Sequence, residues 1–233
     1  MTSMTPRLPE RSVRQGVAAV LFDMDGLLID SEPVWTVAEK ELARRLGGVW
    51  SPALKAQIVG TRLDVAVPTI LSWYGVPGGP SEVLAATDWL LGRMVELFTE
   101  GLIALPGATD LLAVLRAEQI PVALVSSSYR VLVDAVLAHG FGPFTTTVAG
   151  DEVVRAKPDP EPYLTAAARL EVDPRRCVVL EDSPAGGASG EAAGCAVVAV
   201  PSVAGVTFSA GRRRMVRTSL AQLDRSALDA LVG

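Results

Sequence analysis

Four short apolar runs punctuate the chain, at Val17–Phe22, Pro121–Val125, Cys177–Leu180 and Ala196–Val200. They are nearly continuous in Val, Ala, Leu and Ile and lack the alternation of half-exposed strands, as expected of parallel strands covered on both faces. Thr146–Ala149 and Met215–Arg217 are shorter candidates of the same kind. Stretches of helical length lie between them, at Ala108–Glu118, Tyr129–His139, Pro160–Leu170 and Ala185–Ala193. Asp159-Pro160, Asp173-Pro174 and Ser183-Pro184 each place a side-chain acceptor ahead of a proline suited to the first helical position. Strands alternating with helices predict an α/β fold with a doubly wound, mostly parallel, Rossmann-like sheet.

That alternation breaks once, between the first strand and the helix at Ala108. Val34, Ala38, Leu42 and Leu46 recur at helical spacing, with Glu39, Lys40, Glu41, Arg44 and Arg45 assigned to the other faces. Further helical runs follow at Pro52–Ile58, Leu63–Tyr74 and Ser81–Thr99, with a turn cluster from Gly75 to Pro80. Trp50, Trp73 and Trp89 are expected in the core of this insert. The chain thus divides into a flexible tail at 1–15, an α/β core formed by 16–31 and 104–233, and an inserted all-helical cap domain at 32–103.

Composition narrows the function. The 233 residues carry 21 Lys+Arg against 26 Asp+Glu, a net charge of −5, and 49% are hydrophobic. Such a chain buries a sizeable core, and its mild acidity argues against nucleic acid as a partner. The Arg212–Arg214 run with Arg217 is too short to count as more than a surface patch. No apolar run approaches the ~20 residues of a membrane-spanning helix. Residues Met1–Gln15 lack the apolar stretch of a secretory signal. Cys177 and Cys195, in apolar surroundings without a CxxC pattern, read as reduced core thiols. A cytoplasmic, monomeric protein is expected.

The chemistry concentrates at predicted strand ends. Asp23-Met24-Asp25-Gly26 follows the first apolar run, so both carboxylates fall at the carboxyl edge of the sheet, where open α/β folds bind ligands. Two acids that close repel unless a cation or a shared proton intervenes, and a hard divalent ion such as Mg²⁺ is the natural resolution. A turn rich in Asp and Gly would look the same in isolation. Ser126-Ser127-Ser128 closes the second run and opens a helix, an arrangement suited to an anion, although Ser128 also reads as a simple helix cap. Lys157 is stiffened by prolines in Ala156-Lys157-Pro158-Asp159-Pro160, and Glu181-Asp182-Ser183 ends a further strand. Together these segments supply acids, a hydroxyl and an ammonium to one edge, a set that matches a transferring phosphoryl group.

Asp23-Met24-Asp25-Gly26-Leu27-Leu28-Ile29-Asp30-Ser31-Glu32, Ser126, Lys157-Pro158 and Glu181-Asp182-Ser183 resemble the four motifs of the haloacid dehalogenase-like superfamily. More narrowly they are similar to its β-phosphoglucomutase-like branch of sugar-phosphate phosphatases and mutases, and the likeness runs from Val17 to Leu223. The resemblance implies Asp23 as nucleophile through an aspartyl-phosphate, Asp25 as general acid/base, and Ser126, Ser127 and Lys157 on the phosphoryl oxygens. It also implies Mg²⁺ held by the Asp23 carboxylate, the Asp25 main-chain carbonyl and the Asp182 carboxylate, with Glu181 in support. In the cap, Val59-Gly60-Thr61-Arg62 resembles a segment that reaches the leaving group in hexose and hexitol phosphatases. Gly60, Arg62 and Glu32 are accordingly candidate substrate contacts.

Mutases of that branch carry a histidine shortly after the first motif. Trp35 aligns there and is expected to pack the lid, while the sole histidine, His139, ends a core helix and is expected to be structural. The expected activity is therefore Mg²⁺-dependent hydrolysis of a small phosphate ester, a sugar or polyol phosphate, with a phosphomutase as the alternative. A phospho-acceptor regulatory domain uses similar groups but has no helical lid, and a silent metabolite binder would not retain Asp23, Asp25, Lys157 and Asp182 together.

Overall fold

The computed structural model describes residues 16–202 and 206–233, so the tail expected at Met1–Gln15 lies outside the described residues. In chain order the elements are β1 (Ala19–Phe22), α1 (Glu32–Arg45), α2 (Pro52–Ile58), α3 (Leu63–Trp73) and α4 (Pro80–Glu100). They continue with α5 (Ala108–Ala117), β2 (Val122–Val125), α6 (Arg130–Ala138), β3 (Thr146–Val148) and α7 (Glu161–Arg169). The last are β4 (Cys177–Glu181), α8 (Pro184–Ala192), β5 (Ala196–Ala199), β6 (Arg214–Val216) and α9 (Arg225–Val232).

The strands pair in parallel in the order β3-β2-β1-β4-β5-β6, which puts the first strand at the centre. Alternate residues face opposite layers. Val20 and Phe22 join the apolar cluster that includes Leu115 of α5, Val133 of α6 and Leu228 of α9. Ala19, Leu21 and Val179 join Tyr163 and Ala166 of α7 on the other face. Covering on both faces is why these strands read as unbroken apolar runs. Cys177 and Cys195 are free thiols buried in the second layer.

Element ends shift for identifiable reasons. The β1 ladder starts at Ala19 rather than Val17 because the Val17 amide donates to the Asp229 carboxylate of α9 at 2.8 Å. Helix α9 itself was not expected, although Asp224 caps it by accepting the Ala227 amide at 2.8 Å. Ser183 caps α8 as expected, whereas in α7 the cap position falls on Pro160 and the Asp159 carboxylate accepts the Glu161 amide at 2.9 Å. The basic cluster is occupied within the fold, with Arg214 paired to Glu191 and Arg213 donating to the Gly194 carbonyl. None of the described helices is long and apolar enough to cross a membrane.

Helices α1–α4 are inserted between β1 and α5. The two connecting segments run together, the Asp30 amide donating to the Ile103 carbonyl at 2.9 Å and the Leu105 amide to the Leu28 carbonyl at 3.0 Å. Ala38 and Leu42 of α1 are buried with Leu90 and Met94 of α4 as the periodicity requires. Glu39 departs from expectation: it is buried rather than on a solvent face, because Lys55 and Trp50 both donate to its carboxylate. The tryptophans depart as well, since Trp50 has this polar partner and Trp73 is exposed.

Helix α8 is a run of small residues, Pro184-Ala-Gly-Gly-Ala-Ser-Gly-Glu-Ala192, which lets its backbone approach β4 closely. A Cβ on Gly186 would stand 1.8 Å from Glu181 Oε1, and one on Gly190 would meet Val179 at 3.1 Å. Overpacking of this kind typically costs about 1–3 kcal/mol. Gly186→Ala is therefore expected to lower the urea unfolding midpoint by that equivalent, and an unchanged midpoint would show that α8 has room to move.

Candidate active site

The register of β1 against β4 places Phe22 beside Leu180, so Asp23 emerges next to Glu181 and Asp182. The Asp23 amide donates to the Leu180 carbonyl at 3.0 Å, which fixes this placement. On the other side β1 pairs with β2, and Ser126–Ser128 follow Val125 at the same edge. Three of the sequence-predicted segments thus meet at one end of the sheet, as parallel crossovers demand.

Lys157 reaches this edge from the loop before α7. Its Nζ donates to Asp23 Oδ1 at 2.6 Å, Glu181 Oε1 at 2.7 Å and the Val125 carbonyl at 2.9 Å, which uses all three ammonium protons. The ammonium also lies 5.0 Å from the Tyr163 ring centroid. Glu181 is fully buried and saturated: Oε1 additionally accepts from the Tyr163 hydroxyl at 2.6 Å, and Oε2 accepts from the Ser183 amide and hydroxyl.

One ammonium does not balance the acids around it. Burial pushes the Asp23 carboxyl well above the usual range, Lys157 only partly offsets this, and Glu181, Asp182 and Asp25 push it further up. Burial and the neighbouring Glu181 hold Asp182 up to about 7. Burial disfavours the Lys157 ammonium, but the charges of Asp23 and Glu181 outweigh it and keep the group protonated. Carboxylate oxygens of Asp23, Glu181 and Asp182 lie within 4.8 Å of one another, so this acidic cluster can hold a metal ion. An all-oxygen donor set with excess negative charge suits a hard divalent cation. Gly26, at φ +79°, is required here, because a Cβ would stand 2.2 Å from Asp182 Oδ2.

Asp25 is held differently. Its Oδ1 accepts from the Ser31 hydroxyl at 2.6 Å and the Trp35 indole N–H at 3.3 Å. Its Oδ2 accepts from the Ser128 hydroxyl at 2.8 Å and the Ser126 hydroxyl at 3.2 Å. The carboxylate is therefore tied to both the core turn and the start of α1.

Asp23, Asp25, Ser127, Ser128, Lys157 and Asp182 line a cavity of about 170 Å³ whose opposite wall comes from the insert. Glu32, Trp35 and Gly60 line that wall. Arg62 does not: its guanidinium donates to the Gly150 and Val153 carbonyls at 3.0 Å each and pairs with Asp64. Instead of facing a substrate, it ties the insert to the core. Ser126 is also outside the lining, its hydroxyl turned to Asp25, while Ser127 and Ser128 face the cavity.

The comparisons with known proteins bear on this arrangement. Residues 17–194 match the family model of the haloacid dehalogenase-like hydrolases. The chain belongs to that family. Hexitol phosphatase A of Escherichia coli is 39% identical over 184 residues, 77% of this chain and 81% of that protein. A bifunctional riboflavin kinase/FMN phosphatase of Arabidopsis thaliana is 33% identical over 195 residues, and the chain spans only 50% of its length. Among solved structures, CbbY from Rhodobacter sphaeroides in complex with phosphate superposes with a TM-score of 0.82 at 28% identity, covering 91% of this chain and 99% of that one.

Three of this hydrolase's site residues were missed or misread from sequence. Ser128 is not a cap, since Tyr129 occupies the cap position of α6 and the Ser128 hydroxyl goes to Asp25. Trp35 packs in the insert but also touches Asp25, and Ser31 carries the shortest contact to that carboxylate. The sequence signal for Ser31 was its position ahead of Glu32-Pro33, where it reads as a helix cap; its hydroxyl makes no capping bond.

Removing Lys157 leaves the buried Asp23 and Glu181 carboxylates without their cation, which costs about 3–5 kcal/mol. Lys157→Met is expected to lose that much stability at pH 8 in chemical denaturation and less at pH 5, where Asp23 and Asp182, both raised by burial, take up protons. Equal stability to the parent at pH 8 would contradict the charge accounting.

Proposed function

We propose that the chain is a Mg²⁺-dependent phosphatase of small phosphorylated metabolites, a sugar or polyol phosphate, acting through an aspartyl-phosphate on Asp23. The observation that carries this reading is the pair Asp23 and Asp25 at the end of β1, with the first on Lys157 and the second free of it, both opening on a cavity roofed by helices. The phosphatase names of the relatives support the same reaction class.

Asp23 Oδ attacks the phosphorus of the ester, and the bond from phosphorus to the ester oxygen breaks. Asp25 lies two residues further on and gives its proton to the departing alkoxide. Asp25 then takes a proton from the water that attacks the phosphorus of the aspartyl-phosphate, releasing inorganic phosphate and restoring Asp23. Lys157, bonded to Asp23, offsets the repulsion between an anionic nucleophile and an anionic ester. Ser127, at the turn after β2 and facing the cavity, offers donors to the phosphoryl oxygens, while Ser128 is spent on Asp25 and Ser126. The Asp23 and Asp182 carboxylates and the Asp25 carbonyl would hold Mg²⁺, which when bound would add positive charge beside the phosphoryl oxygens. Glu181, with both oxygens occupied, fixes Lys157 and the α8 turn and is not assigned as a direct ligand.

Helices α1–α4 act as a cap domain hinged on the paired linkers, and closure excludes bulk water during the first step. Hydrolysis is favoured over phosphomutase chemistry because the residue touching Asp25 from the cap is Trp35, whose indole N–H donates but accepts no proton.

Phosphate release from a panel of sugar, polyol, nucleotide and short-acid phosphates tests the reading. The expected result is release that Mg²⁺ supports, chelator stops, and Asp23→Asn reduces by on the order of a thousandfold or more without loss of fold. Activity that survives chelator or the Asp23→Asn change would overturn it.

A further inference from the structure

The insert's wall of the cavity is apolar at Ile58, Ala66, Ile70 and Leu90, and one charged group interrupts it. Lys55 Nζ lies 2.9 Å from Glu32 Oε2 and 2.8 Å from Glu39 Oε1, and Trp50 donates to the other Glu39 oxygen at 3.2 Å. Glu32, Glu39 and Lys55 all line the cavity that Asp23 and Asp25 line from below. The apolar alternative at α1 and α2 would pack the two helices as well, so packing alone does not account for a cation there.

Lys55 Nζ donates to Glu39 and forms an ion pair with Glu32, and even if both contacts take a proton one is left with no acceptor among the described residues. Glu32 Oε1 likewise has no donor among the described residues. A spare donor beside a spare acceptor is what a hydroxyl, or two neighbouring hydroxyls, satisfies. Burial raises the Glu39 carboxyl above its ordinary value. With Glu39 ionised the trio has two negative charges and one positive; with Glu39 protonated it is neutral. In neither state does it offer a surplus cation to a second anionic group, and Glu32 would repel one.

We propose that Lys55 and Glu32 form the leaving-group subsite and select monophosphates of polyhydroxylated, otherwise uncharged alcohols over esters that carry a second phosphate or a carboxylate. This assignment rests on the phosphatase reading and names the substrate class of the same cavity.

The test is steady-state phosphate release with Mg²⁺ from a hexitol monophosphate, a ketohexose bisphosphate and phenyl phosphate, whose leaving group bears no further hydroxyl. The parent protein, Lys55→Met and Glu32→Gln are compared. The parent is expected to prefer the hexitol monophosphate in kcat/KM. Each variant is expected to lower the hexitol-to-phenyl preference about tenfold, chiefly through KM, as loss of one hydrogen bond to a charged group predicts. Glu32→Gln is also expected to raise the bisphosphate-to-hexitol ratio. It keeps the Lys55–Glu39 pair, so it reports on the subsite even if Lys55→Met, which strands a buried Glu39, does not fold. Preferences that stay within about twofold in the variants that fold, with all three esters affected in parallel, would mean that the trio only holds α1 to α2. A parent that prefers the bisphosphate would overturn the assignment directly. Release from phenyl phosphate without preference for the hexitol ester refutes the subsite alone, whereas no Mg²⁺-stimulated release from any ester refutes the phosphatase reading and the subsite together.

Discussion

A single ammonium holds the catalytic edge of the sheet together. Lys157 bonds Asp23 at the end of β1, Glu181 at the end of β4 and the main chain at the end of β2, so it joins three strands from one loop. Buried carboxylates at neighbouring strand ends would otherwise push the strands apart or take up protons. The surrounding structure serves the same end: Tyr163 and Ser183 saturate Glu181, and the small residues of α8 let its backbone pass close to that carboxylate. What remains after this pairing is an excess of negative charge on Asp23 and Asp182, facing a cavity. The same excess of negative charge suits this edge to a hard divalent cation, as the proposed reaction requires.

The second carboxylate works on another principle. Asp25 is held by hydroxyls and an indole, from both the core turn and the first turn of the insert. Its orientation therefore depends on where the insert sits, which couples this carboxylate to the position of α1. Arg62 contributes to the same coupling from the other side of the insert, by clasping carbonyls of the core loop at Gly150 and Val153. Asp23 and Asp25 thus differ in how they are restrained: one by a buried charge within the core, the other by neutral donors that straddle two parts of the fold.

Much of this was legible before any coordinates. In a parallel sheet every strand's carboxyl end points the same way, so acids, hydroxyls and a lysine placed just after apolar runs must converge. That logic located Asp23, Asp25, Ser126–Ser128, Glu181 and Asp182, and the prolines around Lys157 marked a stiff loop at the right place. Contacts made across the insert were not legible. Helical periodicity put Glu39 on a polar face because its partners, Trp50 and Lys55, lie beyond the end of α1 and meet it only through tertiary packing. Trp35 looked like a packing residue and Ser31 was given no role, because their distance from Asp25 depends on how the chain folds back after Gly26. Arg62 was read as reaching a substrate, but in the folded chain its guanidinium is taken up by Asp64 and by two core carbonyls.

Phosphoryl transfer to Asp23 is the step on which the proposed reaction depends. Turnover of a hexitol monophosphate should be quenched in acid within its first cycle, and the peptide that contains Asp23 analysed by mass spectrometry. A phosphoryl adduct on that aspartate, forming and decaying at the rate of turnover, is the predicted result. Turnover without any such adduct, combined with inversion of configuration at phosphorus, would show direct attack by water and contradict the central claim.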